Sequence, residues 1–137
     1  MSERTFVNIN SGFELNHPKC GEIWMCNLSE KSGSVQNGYR PVFILSNNKN
    51  NLYSPTLNVI PITSKLRKRK LPVHVELLDH RQYGLQMPSI MSIEQIMTIS
   101  KHLLDYRVGE IMDQKTLNDI CCAIGIQFPI IQLACAN

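Results

Sequence analysis

Two side chains stand where a phosphate could be held. Arg40 follows a stretch rich in Gly, Ser and Asn and directly precedes a short apolar run, Pro41 to Ser46. Thr63 closes the next strand-like run, Thr56 to Thr63. A guanidinium offers parallel N–H donors that match two phosphate oxygens, and a hydroxyl can add a third donor. Immediately after Thr63 the chain reads Lys65-Leu66-Arg67-Lys68-Arg69-Lys70, five bases and no acid. The net charge of the 137 residues is only +3, from fourteen bases and eleven acids. Setting those five aside leaves nine bases against eleven acids, a balance of −2. The positive field therefore sits on one segment, the footprint expected of a nucleic-acid or phosphate binder. A solvated loop tip that keeps a sheet edge from pairing would have the same composition.

Other chemistries find little support. There is no GxSxG, HExxH, P-loop or GxGxxG pattern. The four histidines, at 17, 74, 80 and 102, include no pair four apart, and the five cysteines include no CxxC. The residues thus point to no metal and no cofactor. An odd number of unpaired thiols suits a reducing compartment, so a cytoplasmic location is expected. No run of eighteen apolar residues is present, and the first eighteen residues hold Glu3, Arg4, Glu14 and His17 but no apolar signal core. Neither a membrane span nor a secretory leader is expected.

The elements that must position these groups are mostly strands. With 43% hydrophobic and 18% charged residues the chain can bury a core, and its length suits one domain. Residues 1–18 show no steady period and read as an N-terminal extension to a single domain over 19–137. Strands are expected at 22–28, around Trp24, at 41–46 and at 56–63, where Pro61 argues for a bulge or an edge. Residues 72–77 alternate, with Val73, Val75 and Leu77 on one face and His74 and Glu76 on the other, the pattern of a half-buried strand. A turn is expected at 79–84 and strand again over 90–100. From Asp113, a candidate N-cap, the period changes: Leu117, Ile120, Cys121, Ile124 and Phe128 share one helical face. That helix is expected to break at Pro129, with Cys121 acting as a small buried hydrophobe. Several short strands and one terminal helix predict a mainly β, small antiparallel barrel with a C-terminal helix packed on it.

Six ordered blocks carry a resemblance. Gly33-Ser34-Val35-Gln36-Asn37-Gly38-Tyr39-Arg40-Pro41-Val42 resembles the GSxQxGxRPV signature of the MazF/PemK endoribonuclease toxins. The likeness continues through Ser54-Pro55-Thr56, Ile62-Thr63-Ser64, Lys70-Leu71-Pro72-Val73-His74-Val75-Glu76, Tyr83-Gly84 and Ile93-Glu94-Gln95-Ile96. It covers roughly residues 20 to 128. The resemblance implies an SH3-like barrel of the CcdB/PemK type and a homodimer in a type II toxin–antitoxin system. It also implies ribosome-independent cleavage of single-stranded RNA, including mRNA, at a short sequence, and a cognate antitoxin as partner.

By the same resemblance Arg40 and Thr63 are the catalytic pair, Ser34 and Gln36 lie near the scissile phosphate, and Ser54, Pro55, Thr56 and His74 face RNA. The basic residues Lys65, Arg67, Lys68, Arg69 and Lys70 are expected to hold the RNA backbone. Two departures stand out: Val35 replaces a frequent Glu, and Met97 a frequent Arg. RNA cleavage needs no metal if the neighbouring 2′-hydroxyl attacks phosphorus. His74 is the nearby group that titrates around neutrality, and Tyr39 or Tyr53 could stack on a base or simply pack in the core. Two other readings compete. One is a CcdB-like gyrase poison, which would need a Trp-Gly-Ile end where this chain has Cys135-Ala136-Asn137; the other is an inactive barrel that only binds RNA or antitoxin.

Overall fold

The computed structural model describes residues 17–28, 38–64 and 71–136. The loop carrying Ser34 and Gln36, the basic segment from Lys65 to Lys70, and most of the N-terminal extension lie outside the described residues.

Seven strands are laid down in chain order: β1 (Glu22–Asn27), β2 (Tyr39–Ile44), β3 (Thr56–Thr63), β4 (His74–Leu77), β5 (Ser89–Ser92), β6 (Met97–Ser100) and β7 (Leu104–Glu110). Helix α1 (Asn48–Tyr53) sits between β2 and β3, and helices α2 (Gln114–Gln127) and α3 (Ile130–Ala134) close the chain. All pairings are antiparallel, in the order β4-β5-β3-β2-β1-β7, with β6 also on β3. The expected mainly antiparallel sheet with a C-terminal helix is what the chain forms.

β3 is the hub. Along one side its residues 59–61 pair with β2; along the other, 56–59 pair with β6 and 62–63 with β5. Pro61 therefore occupies a central strand, not an edge. It is tolerated because Ile60 and Pro61 fall between the two partners on the second side, where no ladder donor is required.

Alternation along the strands makes two cores. Ile23, Phe43, Ile60, Ile62, Val75 and Met91 fill one, and Trp24, Cys26, Val42, Ile44, Val59 and Leu104 the other. Helix α2 caps the first. Asp113 is its N-cap, accepting from the Thr116 N–H at 3.1 Å, as expected. Its buried stripe is Thr116, Ile120 and Ala123, with Leu117 and Ile124 partly buried. Cys121 is exposed, so its expected place in the core is corrected: one step past Ile120, it turns off the buried stripe.

Two further differences are local. The run at 90–100 is two strands, because Ile93–Gln95 forms a 3-10 turn between β5 and β6. The turn at 79–84 is a 3-10 helix, His80–Tyr83, ended by Gly84 at φ +79°. A Cβ on Gly84 would lie 2.2 Å from the Val108 carbonyl oxygen, and one on Gly109 2.1 Å from that of Tyr83. Both glycines are required so that this turn can press backbone-to-backbone on β7.

Candidate active site

One cleft brings the arginine and the threonine together. β2 and β3 pair from Ile44 opposite Val59 to Val42 opposite Pro61; Arg40 stands two residues before Val42, and Thr63 two residues after Pro61. Across its other edge Thr63 pairs with Ile90 of β5. Arg40 and Thr63 line one cleft of about 670 Å³. Its apolar surface comes from Met25, Pro41, Ile62, Leu85 and Val108, and its polar groups from Ser64, Gln86, Ser89 and Arg107. The 3-10 turn, pinned to β7 by the two glycines, delivers Leu85, Gln86 and Met87 to this cleft.

Arg40 gives the cleft a positive charge, while that of Arg107 is balanced by Glu22 and Glu110. Among the described lining residues there are two guanidiniums and no carboxylate or imidazole. Arg40 is partly buried, and burial draws its pKa somewhat below the ordinary guanidinium value; it remains cationic in water. Gly38, at φ +89°, precedes it, and a Cβ there would come 3.8 Å from the guanidinium. Backbone conformation, not lack of space, is what calls for glycine at that position. Arg107 is held on both sides, by Glu22 at 2.9 Å and Glu110 at 3.0 Å, with its side chain 44% exposed.

The remaining sequence expectations separate. Tyr39 is exposed and lines the cleft, its hydroxyl donating to Asp105 at 2.5 Å. That hydrogen bond, with some desolvation, pushes the phenol up to about 12. Tyr53 is also exposed but stands at the end of α1, away from the cleft. Ser54, Pro55 and Thr56 adjoin it. Thr56 opens β3 and Thr63 closes it, so seven residues of strand, about 23 Å, separate this turn from the cleft. Within one protomer the two are not brought together.

His74 is a correction. Alternation places it outward, and the resemblance has it facing RNA; in the structure its side chain is fully buried. Its Nδ1 accepts from the Leu71 N–H at 3.4 Å, which leaves Nε2 to donate to Glu94 at 3.1 Å. Glu94 lies on the 3-10 turn between β5 and β6, twenty residues away. A polar side chain on an alternating strand reads as solvent-facing, but a carboxylate buried beside it reverses that. As placed, the ring clamps Leu71 at the exit of the basic segment and presents no free nitrogen to a substrate.

Sequence reasoning missed Tyr106 and Arg107, which β7 contributes. No simple alternation marked them, because β7 pairs with β1 through register shifts on both sides of Trp24. Among the described residues no three His, Cys, Asp or Glu gather as metal ligands, and no helix is long and apolar enough to cross a membrane.

Comparison with known proteins supplies the context. The chain is 40% identical over 113 residues to Endoribonuclease EndoA of Bacillus subtilis (strain 168), covering 82% of this chain and 96% of that one. Among solved structures, Mycobacterium tuberculosis toxin MazF-mt6 superposes with a TM-score of 0.65 at 25% identity, over 79% of this chain and 96% of the toxin. MazF from Deinococcus radiodurans shares the fold at a TM-score of 0.69 and 20% identity, over 82% and 97% of the two chains. Residues 19–128 match the family described as the PemK-like, MazF-like toxin of type II toxin–antitoxin systems, and the chain belongs to that family.

Proposed function

We propose that this chain is the toxin of a type II pair and a sequence-specific, metal-independent endoribonuclease acting on single-stranded RNA. The observation that carries the reading is the meeting of Arg40 and Thr63 in one cleft, on a chain 40% identical to an endoribonuclease. In the proposed step the ribose 2′-oxygen forms a bond to the adjacent phosphorus and the P–O5′ bond breaks. The 2′ proton leaves and O5′ gains one. Arg40 donates to the phosphoryl oxygens as their charge rises, and the Thr63 hydroxyl donates to the phosphate or fixes the attacking group. With no carboxylate or imidazole among the described lining residues, positioning and fixed charge do the work. Ser34 and Gln36, on the loop that leads to Arg40, complete the phosphate contacts, and the basic segment after Ser64 holds the RNA backbone. A cytoplasmic location and a cognate antitoxin partner follow from the same reading.

The test is incubation of the purified protein with a long RNA in excess chelator. Discrete fragments are expected. Intact RNA would leave a gyrase-type poison or an inactive binder.

A homodimer is part of the proposal. Ile126, Ile130, Ile131 and Leu133 are each more than half exposed at the C-terminal end. A grouped apolar surface of that kind marks a contact surface rather than a solvated one. Sedimentation at micromolar concentration should give twice the 15.6 kDa chain mass; a monomer with full activity would overturn this part.

A further inference from the structure

We infer that Tyr39 and Tyr106 form a stacking platform for a nucleobase next to the Arg40–Thr63 pair. The inference rests on the endoribonuclease reading above for its ligand class, but not on cleavage itself. Both rings line the cleft that holds Arg40 and Thr63. Both are large aromatic surfaces left open to solvent, 54% and 48% exposed, in a protein whose other cleft-lining apolar groups are mostly covered. They come from different strands, β2 and β7, that flank β1 on either side.

The Tyr39 ring is also tied in place. Asp105, the neighbour of Tyr106 on β7, accepts the Tyr39 hydroxyl at 2.5 Å and so ties β2 to β7 across β1. Tyr106 is itself among the groups near that hydroxyl. Two tyrosines packed in the core would need no such tie, and two free surface tyrosines would not have one. A rigid aromatic face loses little freedom when a flat ligand lands on it.

Charge narrows the occupant. Arg40 lines the same cleft, and no carboxylate is among its described lining residues. A ligand that is flat and apolar on its faces, and anionic beside them, fits both features. Single-stranded RNA is such a ligand: bases stack on aromatic rings while the backbone meets cationic groups. In this arrangement the base flanking the scissile phosphate lies on the tyrosines while that phosphate meets Arg40.

The experiment is an anisotropy titration with a fluorescein-labelled 12-nucleotide RNA of mixed sequence, beside a 12-mer of abasic riboses with the same phosphates. Tyr39→Ala and Tyr106→Ala should each weaken RNA binding about five- to hundredfold. Tyr106→Phe should bind like the parent, because the ring and not its hydroxyl makes the stack. All four proteins should bind the abasic strand alike. Equal RNA affinity in the parent and both Ala variants overturns the platform. Equal losses on RNA and on the abasic strand also overturn it, since the rings would then be acting on the backbone or on the fold. Circular dichroism melts of the variants identify the second case. If long RNA stays intact while the titration behaves as expected, the cleavage reading fails and the platform stands.

Discussion

At the scale of single residues the proposed chemistry depends on Arg40 and Thr63, whose roles can be separated from stability. Arg40→Lys keeps a charge but loses the planar fork, and Thr63→Val keeps the shape but loses the hydroxyl. Loss of one preorganised donor to a developing oxyanion costs about 10²–10³ in rate. Both variants are therefore expected to lose cleavage at least about a hundredfold in single-turnover assays, with melting temperatures close to the parent. Thr63 is only partly buried at the end of β3, which is why its hydroxyl can be removed without opening a core cavity. A Thr63→Val protein that cuts at the parent rate removes the residue from the mechanism, and one that melts far lower makes it structural. Legibility at this scale was uneven. Arg40 and Thr63 each abut an apolar run that fixes their place on β2 and β3, and both line one cleft. His74 was misread because its partner Glu94 is remote in sequence, and pairing between two polar residues leaves no periodic trace.

At the scale of elements, α2 is the one whose beginning was plainest in the sequence, and its cap makes a pH-dependent prediction. Asp113 accepts the Thr116 N–H through one carboxylate oxygen and the Tyr83 hydroxyl at 2.8 Å through the other. The Thr116 hydroxyl first, then the Tyr83 phenol, hold its pKa below the usual carboxylate range. The unfolded chain therefore takes up this proton before the folded chain does on acidification. Its contribution is complete above about pH 4, the ordinary Asp value, and is lost as pH falls through the lower folded value. Asp113→Ala should cost about 1 kcal/mol at neutral pH, in the usual range for an N-cap. Asp113→Asn keeps the cap acceptor and should cost less, and its deficit should fade toward pH 3. Urea melts from pH 3 to 7 read both; a deficit for Asp113→Asn that does not shrink in acid would show that the charge is irrelevant. Elements without such a signal were missed. α1 is only six residues long, and its capping acceptor, Asn47, is one of four asparagines that read as loop. β7 borrows its order from β1, with register shifts on both sides of Trp24 that break any simple alternation.

At the scale of the whole molecule, the proposed function divides RNA affinity from RNA chemistry along the distribution of charge. The five bases between Lys65 and Lys70 follow directly on Ser64, which lines the cleft, while the rest of the chain has a balance of −2. The sequence displays this segregation without any knowledge of the fold, because charge does not depend on which face a residue takes. Cleft shape, by contrast, depended on two glycines pressing a turn onto β7, and neither glycine declares its neighbour in the sequence. A cationic segment binds phosphates through counterion release, which favours any single strand over none but does not distinguish bases. Each phosphate contact contributes a slope of about −0.7 in log affinity against log salt on single strands. Replacing Arg67, Lys68 and Arg69 with Ser should therefore weaken binding to unrelated RNAs by a similar factor and flatten the salt dependence by up to about two units. Cleavage positions should stay where they were, because Arg40, Thr63 and the residues proposed to meet the bases are untouched. Mapping fragment ends and measuring affinity at several salt concentrations on the same protein tests both halves. New cleavage sites with an unchanged slope would mean that this segment reads bases, and the division between affinity and specificity would have to be drawn elsewhere.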